Sequence, residues 1–202
     1  MNHLAHLYLS RQSEKMMVGN FIADAVKGKK YLDYDEEISR GILMHREIDT
    51  FTDSNEIVRH SKSFFKERYG LFSSILIDVF YDHFLAINWK DYSEDPLNVF
   101  VNRAYEIFEK YLSIMPSRNQ TMFPYMQKEN WLLNYAHIEG LQRSLNGMSR
   151  RIRNHTGIQN ATEEFRIHYD ELNNDFKEYF PLLQKHVAPW MEEFADKQSF
   201  QK

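Results

Sequence analysis

The ionisable side chains that interrupt apolar helical stripes are the most informative feature of this 202-residue sequence. In the apolar segment 71–89, Asp78 and Asp82 are four residues apart and share one helix face, with His83 on its flank. Buried carboxylates are costly unless they are paired or bind a metal. A network with Arg or Tyr could satisfy them, but two Asp and one His within residues 78–83 favour a metal or catalytic site.

A second polar pair lies on the predicted helix 34–53. His45 and Asp49 are one helical turn apart, close enough to converge on one ion. Arg46 and Asp53 follow closely in the same segment. Taken alone, His45 and Asp49 would be interpreted as an ordinary hydrogen-bonded pair.

Two weaker signals add to these pairs. Asn20 and Asp24 have the same four-residue spacing inside the apolar segment VGNFIADAV, although Asn and Asp also end helices. His3 and His6 are three residues apart. We interpret them as side chains that orient a metal ligand or lie in the core, rather than as direct metal ligands. Imidazole and carboxylate ligands without sulfur favour Mn²⁺, Mg²⁺ or Fe²⁺, with Zn²⁺ as a further option.

The elements that must position these side chains are helices. The sequence has only 7 Gly and 5 Pro, and helical spacing of apolar residues dominates over strand-like alternation. These features predict an all-α fold, a single-domain helical bundle over residues 1–202. The predicted helices, with Pro181 as the break between the last two, cover 2–9, 15–27, 34–53, 54–69, 71–89, 96–115, 119–136, 137–149, 160–180 and 181–198.

Composition and motifs exclude several classes of function. The formal charge of −4 disfavours a general nucleic-acid binder, and no stretch approaches the roughly 20 apolar residues of a membrane span. The N-terminus lacks the basic start of a secretory signal, so we expect a cytoplasmic protein. Cysteine is absent, as are a Gly-rich phosphate loop, a G-x-S-x-G elbow and an HExxH motif. Metal-activated water is therefore favoured over a nucleophilic side chain, and nothing indicates the oligomeric state.

One basic segment opposes the overall acidic charge. Residues 140–161 contain no Asp or Glu but carry Arg143, Arg150, Arg151 and Arg153. These arginines either cap the last carbonyls of a solvated helix or form a docking surface for an anionic partner. The pattern alone favours neither interpretation.

Five blocks of the sequence carry a family resemblance. They are MNHLAHLYLS, GNFIADAVKG, GILMHREIDTFTDS, DVFYDHFLAINW and LNGMSRR, which extend to about residue 153. In their order and spacing the sequence resembles the bacterial acyl carrier protein phosphodiesterases, also called acyl carrier protein hydrolases. The resemblance implies an all-α fold like that of HD-type metal-dependent phosphohydrolases. The tail after about residue 156 matches weakly, and its role is not indicated.

The resemblance also implies an activity. Enzymes of this family remove 4′-phosphopantetheine from holo acyl carrier protein with a divalent metal such as Mn²⁺ or Mg²⁺. Because acyl carrier protein is small and acidic, the basic segment gains a rationale as a docking surface. The metal ligands implied by the matching blocks are Asp24, His45, Asp49, Asp78, Asp82 and His83. The implied catalytic set is Asp24, His45, Asp49, Asp82 and His83, with Arg46 as a cation beside the phosphate.

Two alternatives stay open at this point. The first is an HD-like phosphohydrolase that acts on a nucleotide or another small phosphate ester. The second is a helical binding module without catalytic activity. Metal content and turnover distinguish the binding module from the enzymes, and the product formed from holo carrier protein distinguishes the two enzymes.

Overall fold

The structure, a computed structural model, describes residues 1–151 and 157–199, and it describes side chains as far as Met191. No strand occurs in these ranges, which confirms the all-α prediction. The α-helices are α1 (His3–Leu9), α2 (Glu14–Ile22), α3 (Glu36–Ser54), α4 (Glu56–Tyr69), α5 (Ser73–Ile87), α6 (Leu97–Tyr111), α7 (Ser117–Lys128), α8 (Trp131–Asn134), α9 (Ile138–Arg151), α10 (Ala161–Ile167) and α11 (Tyr169–Ser199).

Helix α5 runs through the middle of the core. Eleven of its residues are buried, and α1, α4, α9 and α11 pack against it. The stretch Glu56–Ile87, which includes α4 and α5, is long and apolar enough to cross a membrane by length and composition alone. The core helix of a soluble protein meets the same criteria, and 61% of the apolar window is buried inside the protein. Packing therefore accounts for its apolar character.

Helices α2 and α3 approach each other at two glycines. A Cβ atom on Gly19 would overlap the carbonyl oxygen of Ile38, and one on Gly41 would overlap the carbonyl oxygen of Met16. Hydrogen as a side chain is therefore what allows the two backbones to touch. This contact holds the buried Asn20 of α2 beside the buried His45 of α3.

The predicted break at Pro181 is wrong. Helix α11 continues through Pro181 and Pro189, and the chain turns instead at His168, just before α11 begins. A proline inside a helix costs about 3 kcal/mol because one backbone hydrogen bond is lost. The fully buried Tyr179 and Phe180 precede Pro181 and offset that cost through packing.

The predicted helix 119–136 is also wrong, because the chain divides there. Helix α7 ends at Lys128, and Asn130 takes a left-handed conformation with φ 48° before α8 begins at Trp131. Asn tolerates this conformation better than most residues. No Gly or Pro marks the break between Lys128 and Trp131, so the helical spacing of apolar residues predicts one continuous helix there.

We expect Gly41→Ala to lower the free energy of unfolding by about 1–3 kcal/mol or more, because the new methyl group forces α2 away from α3. Chemical denaturation measures the change. Gly147→Ala in α9 is the matched control, because nothing lies within 4 Å of its added Cβ. That control should be neutral or stabilising by up to about 1 kcal/mol. Equal effects of the two substitutions would contradict the close approach of α2 and α3.

Candidate functional site

Side chains from α1, α3 and α5 meet at a cavity of about 240 Å³. Ile75, Val79 and Met148 provide its apolar lining. Its ionisable lining includes His3, His6, Asp24, His45, Asp49, Asp53 and Asp78. The structure thus brings together Asp24, His45, Asp49 and Asp78 of the predicted site residues.

Three ligand-type atoms converge in this cavity. One atom each from His6, His45 and Asp49 lies within 4.8 Å of the other two. The Nε2 atom of His6 is 3.2 Å from Oδ1 of Asp49, and Nε2 of His45 is 3.1 Å from Oδ2 of the same carboxylate. The two imidazole rings are stacked with their centres 4.0 Å apart.

The side-chain amide of Asn20 fixes which nitrogen of each ring faces Asp49. Its Nδ2 donates to the backbone carbonyl of His6 over 3.1 Å, so its Oδ1 must face the rings. That oxygen lies 2.8 Å from Nδ1 of His6 and 3.1 Å from Nδ1 of His45. Because Oδ1 can only accept, both Nδ1 atoms carry protons, and the two Nε2 atoms are left to bind a proton or a cation.

The atoms around His6 Nε2 are acceptors. Besides Oδ1 of Asp49, the carbonyl oxygen of Met1 lies 3.2 Å away. Burial lowers the pKa of His6 to about 4, so Nε2 carries a lone pair at neutral pH. Burial opposes protonation of His45 too, but its ion pairs with Asp24 and Asp49 raise its pKa to about 9. The proton on Nε2 of His45 is therefore the only proton of these two rings that faces the carboxylates of Asp24 and Asp49. This surplus of lone pairs fits a bound cation.

Two further carboxylates surround the three converging residues. Asp24 is 65% exposed and places Oδ1 3.6 Å from Nε2 of His45, and this ion pair lowers the pKa of Asp24 to about 2. Burial opposes ionisation of Asp49, but a hydrogen bond from His45 lowers its pKa well below the usual range. Asp78 accepts from the α-amino group of Met1 over 2.8 Å. The cavity therefore carries an excess of negative charge.

Asp82 and His83 lie outside this cavity lining. The fully buried Asp82 accepts the backbone N–H groups of Leu4 over 2.7 Å and Ala5 over 3.1 Å, so it caps α1. Burial raises the pKa of Asp82 to about 7, although those two N–H groups favour its ionised form. His83 donates from Nδ1 to the carbonyl of Tyr135 over 2.7 Å. These contacts account for both side chains, and their metal and catalytic roles stay predictions.

Arg46 is directed toward the backbone of a neighbouring loop. Its Nη2 donates to the carbonyl oxygens of Val26 and Gly28, each over 2.9 Å, and its guanidinium lies 5.4 Å from the centre of the Tyr31 ring. These contacts satisfy Arg46 beside the cavity without a phosphate. Its catalytic role stays a prediction.

The predicted docking arginines lie on different faces of α9. Arg143 and Arg150 are exposed on the side opposite the buried Leu141 and Leu145. Arg151 is exposed one turn after Met148, which lines the cavity, and its Nε donates to the carbonyl of Gly147 over 3.2 Å.

Arg151 is also electrostatically coupled to the cavity. Burial lowers the pKa of His3 to about 4, and the positive charges of Arg151 and Arg118 contribute to that shift. Arg153, the remaining predicted docking residue, lies outside the described residues.

Sequence reasoning underestimated His6 and Asn20. The three-residue spacing of His3 and His6 is visible in the sequence, but it does not show which of the two rings points toward His45 and Asp49. Asn20 stood out only as an amide in an apolar segment, and its two imidazole partners come from other helices. Only tertiary packing identifies them as a unit.

A helical bundle that gathers two imidazoles and a carboxylate in an interior cavity defines a class of all-α proteins with polar sites between facing helices. Comparison with known proteins shows the family within this class. Residues 1–183 match the family model for acyl carrier protein phosphodiesterase, and the chain belongs to that family.

Curated relatives agree over nearly the whole length. An acyl carrier protein phosphodiesterase of Klebsiella pneumoniae (strain 342) is 34% identical over 186 residues, which cover 92% of this chain and 96% of the relative. One from Salmonella agona (strain SL483) is 33% identical over 189 residues, which cover 93% and 98% of the two chains. No solved structure matches the chain, so the relation to HD-type enzymes stays a prediction.

We expect Asp82→Ala to lower the free energy of unfolding by about 3 kcal/mol, because two buried N–H groups of α1 lose their carboxyl acceptor. Thermal and chemical denaturation at neutral pH measure this loss. An unchanged unfolding midpoint together with lost activity would instead place Asp82 in the site.

Proposed function

We propose that this protein hydrolyses the phosphodiester bond that joins 4′-phosphopantetheine to a serine of holo acyl carrier protein. The products are apo acyl carrier protein and free 4′-phosphopantetheine. The observation that carries the proposal is the convergence of His6, His45 and Asp49 in one cavity of a chain that matches the family over residues 1–183. We place the reaction in the cytoplasm, with the carrier protein of fatty acid biosynthesis as substrate.

The donor set of the cavity suits a divalent metal, for which we propose Mn²⁺ or Mg²⁺. His6, His45 and Asp49 would hold it, and Asp24 and Asp78 are the nearest further carboxylates. Imidazole and carboxylate ligands without sulfur match these ions. A bound divalent ion lowers the pKa of a coordinated water and neutralises charge on phosphoryl oxygens.

The protein supplies orientation and shape around that ion. Asn20 holds both imidazoles by their Nδ1 protons, an arrangement that typically fixes the ligating nitrogen of a metal-bound His. Ile75, Val79 and Met148 add apolar surface to the same cavity. The pantetheine arm carries two methyl groups near its phosphate, and we propose that they pack against this surface.

The arginines of the basic segment are proposed to contact the acidic carrier protein. Arg151 lies beside the cavity, while Arg143 and Arg150 lie on the outer face of α9 and reach a larger partner. Arg153 completes the proposed set. Charge complementarity of this kind raises the association rate and fixes orientation.

We expect the purified protein to convert holo to apo carrier protein and to lose this activity after treatment with a chelator. Addition of Mn²⁺ or Mg²⁺ should restore the activity, because His6, His45 and Asp49 again hold their cation. Intact-mass spectrometry of the carrier protein measures the loss of the phosphopantetheine group.

Two controls accompany this experiment. Cyclic nucleotides and small phosphate monoesters test the alternative substrates, and turnover of these but not of holo carrier protein would overturn the proposal. His45→Gln removes one proposed ligand and should abolish restoration by metal. Full activity in the chelated protein would show that no metal is needed.

We expect Asn20→Ala to weaken Mn²⁺ binding by about 10- to 100-fold, because the two imidazoles lose the acceptor that orients them. Titration calorimetry with Mn²⁺ measures the affinity. Asn119→Ala is a matched control, since Asn119 is also buried and donates to a carbonyl, but that carbonyl belongs to Phe21, whereas Asn20 holds His6 and His45. Equal weakening by both variants would mean that Asn20 acts only through overall stability.

A further inference from the structure

A short loop after Asp24 carries three exposed lysines, Lys27, Lys29 and Lys30. None of the three forms an ion pair in the part of the chain that the structure describes. Other lysines do: Lys15 binds Asp35 over 3.0 Å. Three unpaired positive charges within four positions stand out on a protein of formal charge −4.

The loop is held in a fixed shape at both ends. Arg46 binds the carbonyls of Val26 and Gly28, and Ser39 donates to the carbonyl of Tyr31 over 2.5 Å. Gly28 has φ +57°, a conformation that other residues rarely adopt, so the turn between the lysines depends on it. Fixing the backbone in advance reduces the entropy cost of binding a partner through these side chains.

The lysines follow a residue of the cavity lining closely along the chain. Asp24 lines it, and six residues of chain to Lys30 reach at most about 20 Å. Arg46, which holds the loop, directly follows His45 of the site. A phosphodiester that enters the cavity while attached to a protein therefore brings the surface of that protein over the loop.

The neighbours of the lysines indicate the kind of anion. Leu32 is 65% exposed beside them and offers an apolar contact. Exposed acids follow at once, at Asp33, Asp35 and Glu36. A long polyanion such as a nucleic acid would meet these acids, whereas a compact group of carboxylates on a folded protein would not.

We propose that Lys27, Lys29 and Lys30 form a docking surface for carboxylates of the protein substrate beside its modified serine, with Arg46 as the positioning residue of the loop. This inference rests on the proposed function and adds a second contact area, separate in sequence from the arginines of α9. It assigns to Arg46 a role in substrate affinity through the loop.

The test compares two triple variants of equal charge change. Lys27→Gln/Lys29→Gln/Lys30→Gln should raise KM for holo carrier protein about 3- to 150-fold with kcat nearly retained, as expected for three lost surface ion pairs. The control replaces Lys66, Lys90 and Lys128, which are exposed elsewhere, by Gln and should leave KM within twofold. Added salt should shrink the difference between the variants.

Direct binding separates failure of this inference from failure of the proposed function. Labelled apo carrier protein lacks the phosphodiester, and its affinity should fall by the same factor in the loop variant. If the wild-type protein binds through the loop but releases no phosphopantetheine, the proposed function fails and the docking surface stands. Equal affinities of wild-type and loop variants for the carrier protein overturn the docking surface. Tighter loop-dependent binding of a single-stranded DNA oligomer would overturn it in favour of a nucleic-acid surface.

The positioning role of Arg46 has its own readout. Arg46→Gln should raise KM like the loop variant, and Arg46→Lys should recover part of the loss because a Lys can still donate to one loop carbonyl. A fall in kcat with unchanged KM would place Arg46 beside the reacting phosphate instead.

Discussion

The side-chain amide of Asn20 is the contact on which the geometry of the site depends. It is fully buried, it is oriented by the backbone carbonyl of His6, and it accepts from both imidazoles. A buried amide in this position is costly unless all its partners are in place, which makes the arrangement sensitive to small displacements. The close contacts of Gly19 with α3 and of Gly41 with α2 fix the distance between the two helices, and so they place Asn20 beside His45.

Helix α1 depends on α5 in a comparable way. His6 lies on a helix of seven residues, too short to be stable by itself in water. The two hydrogen bonds that Asp82 accepts from backbone N–H groups anchor the first turn of this helix to α5, eleven of whose residues are buried. Asp82 can therefore support the site without touching it, since the position of His6 follows from that of α1.

The sequence predicts features that depend on contacts within one helix better than features that depend on contacts between helices. The all-α fold and the pairing of His45 with Asp49 follow from spacing within one helix, and the structure contains both. The selection of His6 over His83 could not be predicted, because both lie on apolar helices and only packing separates them. The course of α11 through Pro181 was missed for the same reason, since the loss of one backbone hydrogen bond is offset by distant aromatic contacts.

Negative and positive side chains occupy different places around the cavity. Inside, Asp24, Asp49 and Asp78 outnumber the α-amino group of Met1 and a protonated His45. Asp53 is paired with Lys62 over 2.8 Å, so one net negative charge remains. An anionic phosphodiester would be repelled there unless a divalent cation replaced the proton of His45, which would bring the same groups close to neutrality. Lys27, Lys29 and Lys30 and the described arginines of α9 are exposed, and no ion pair among the described residues joins them to the carboxylates of the cavity, so they can attract an acidic protein. Under the proposed function, the separation lets the protein hold a cation in the cavity and bind an anionic partner through its exposed basic side chains.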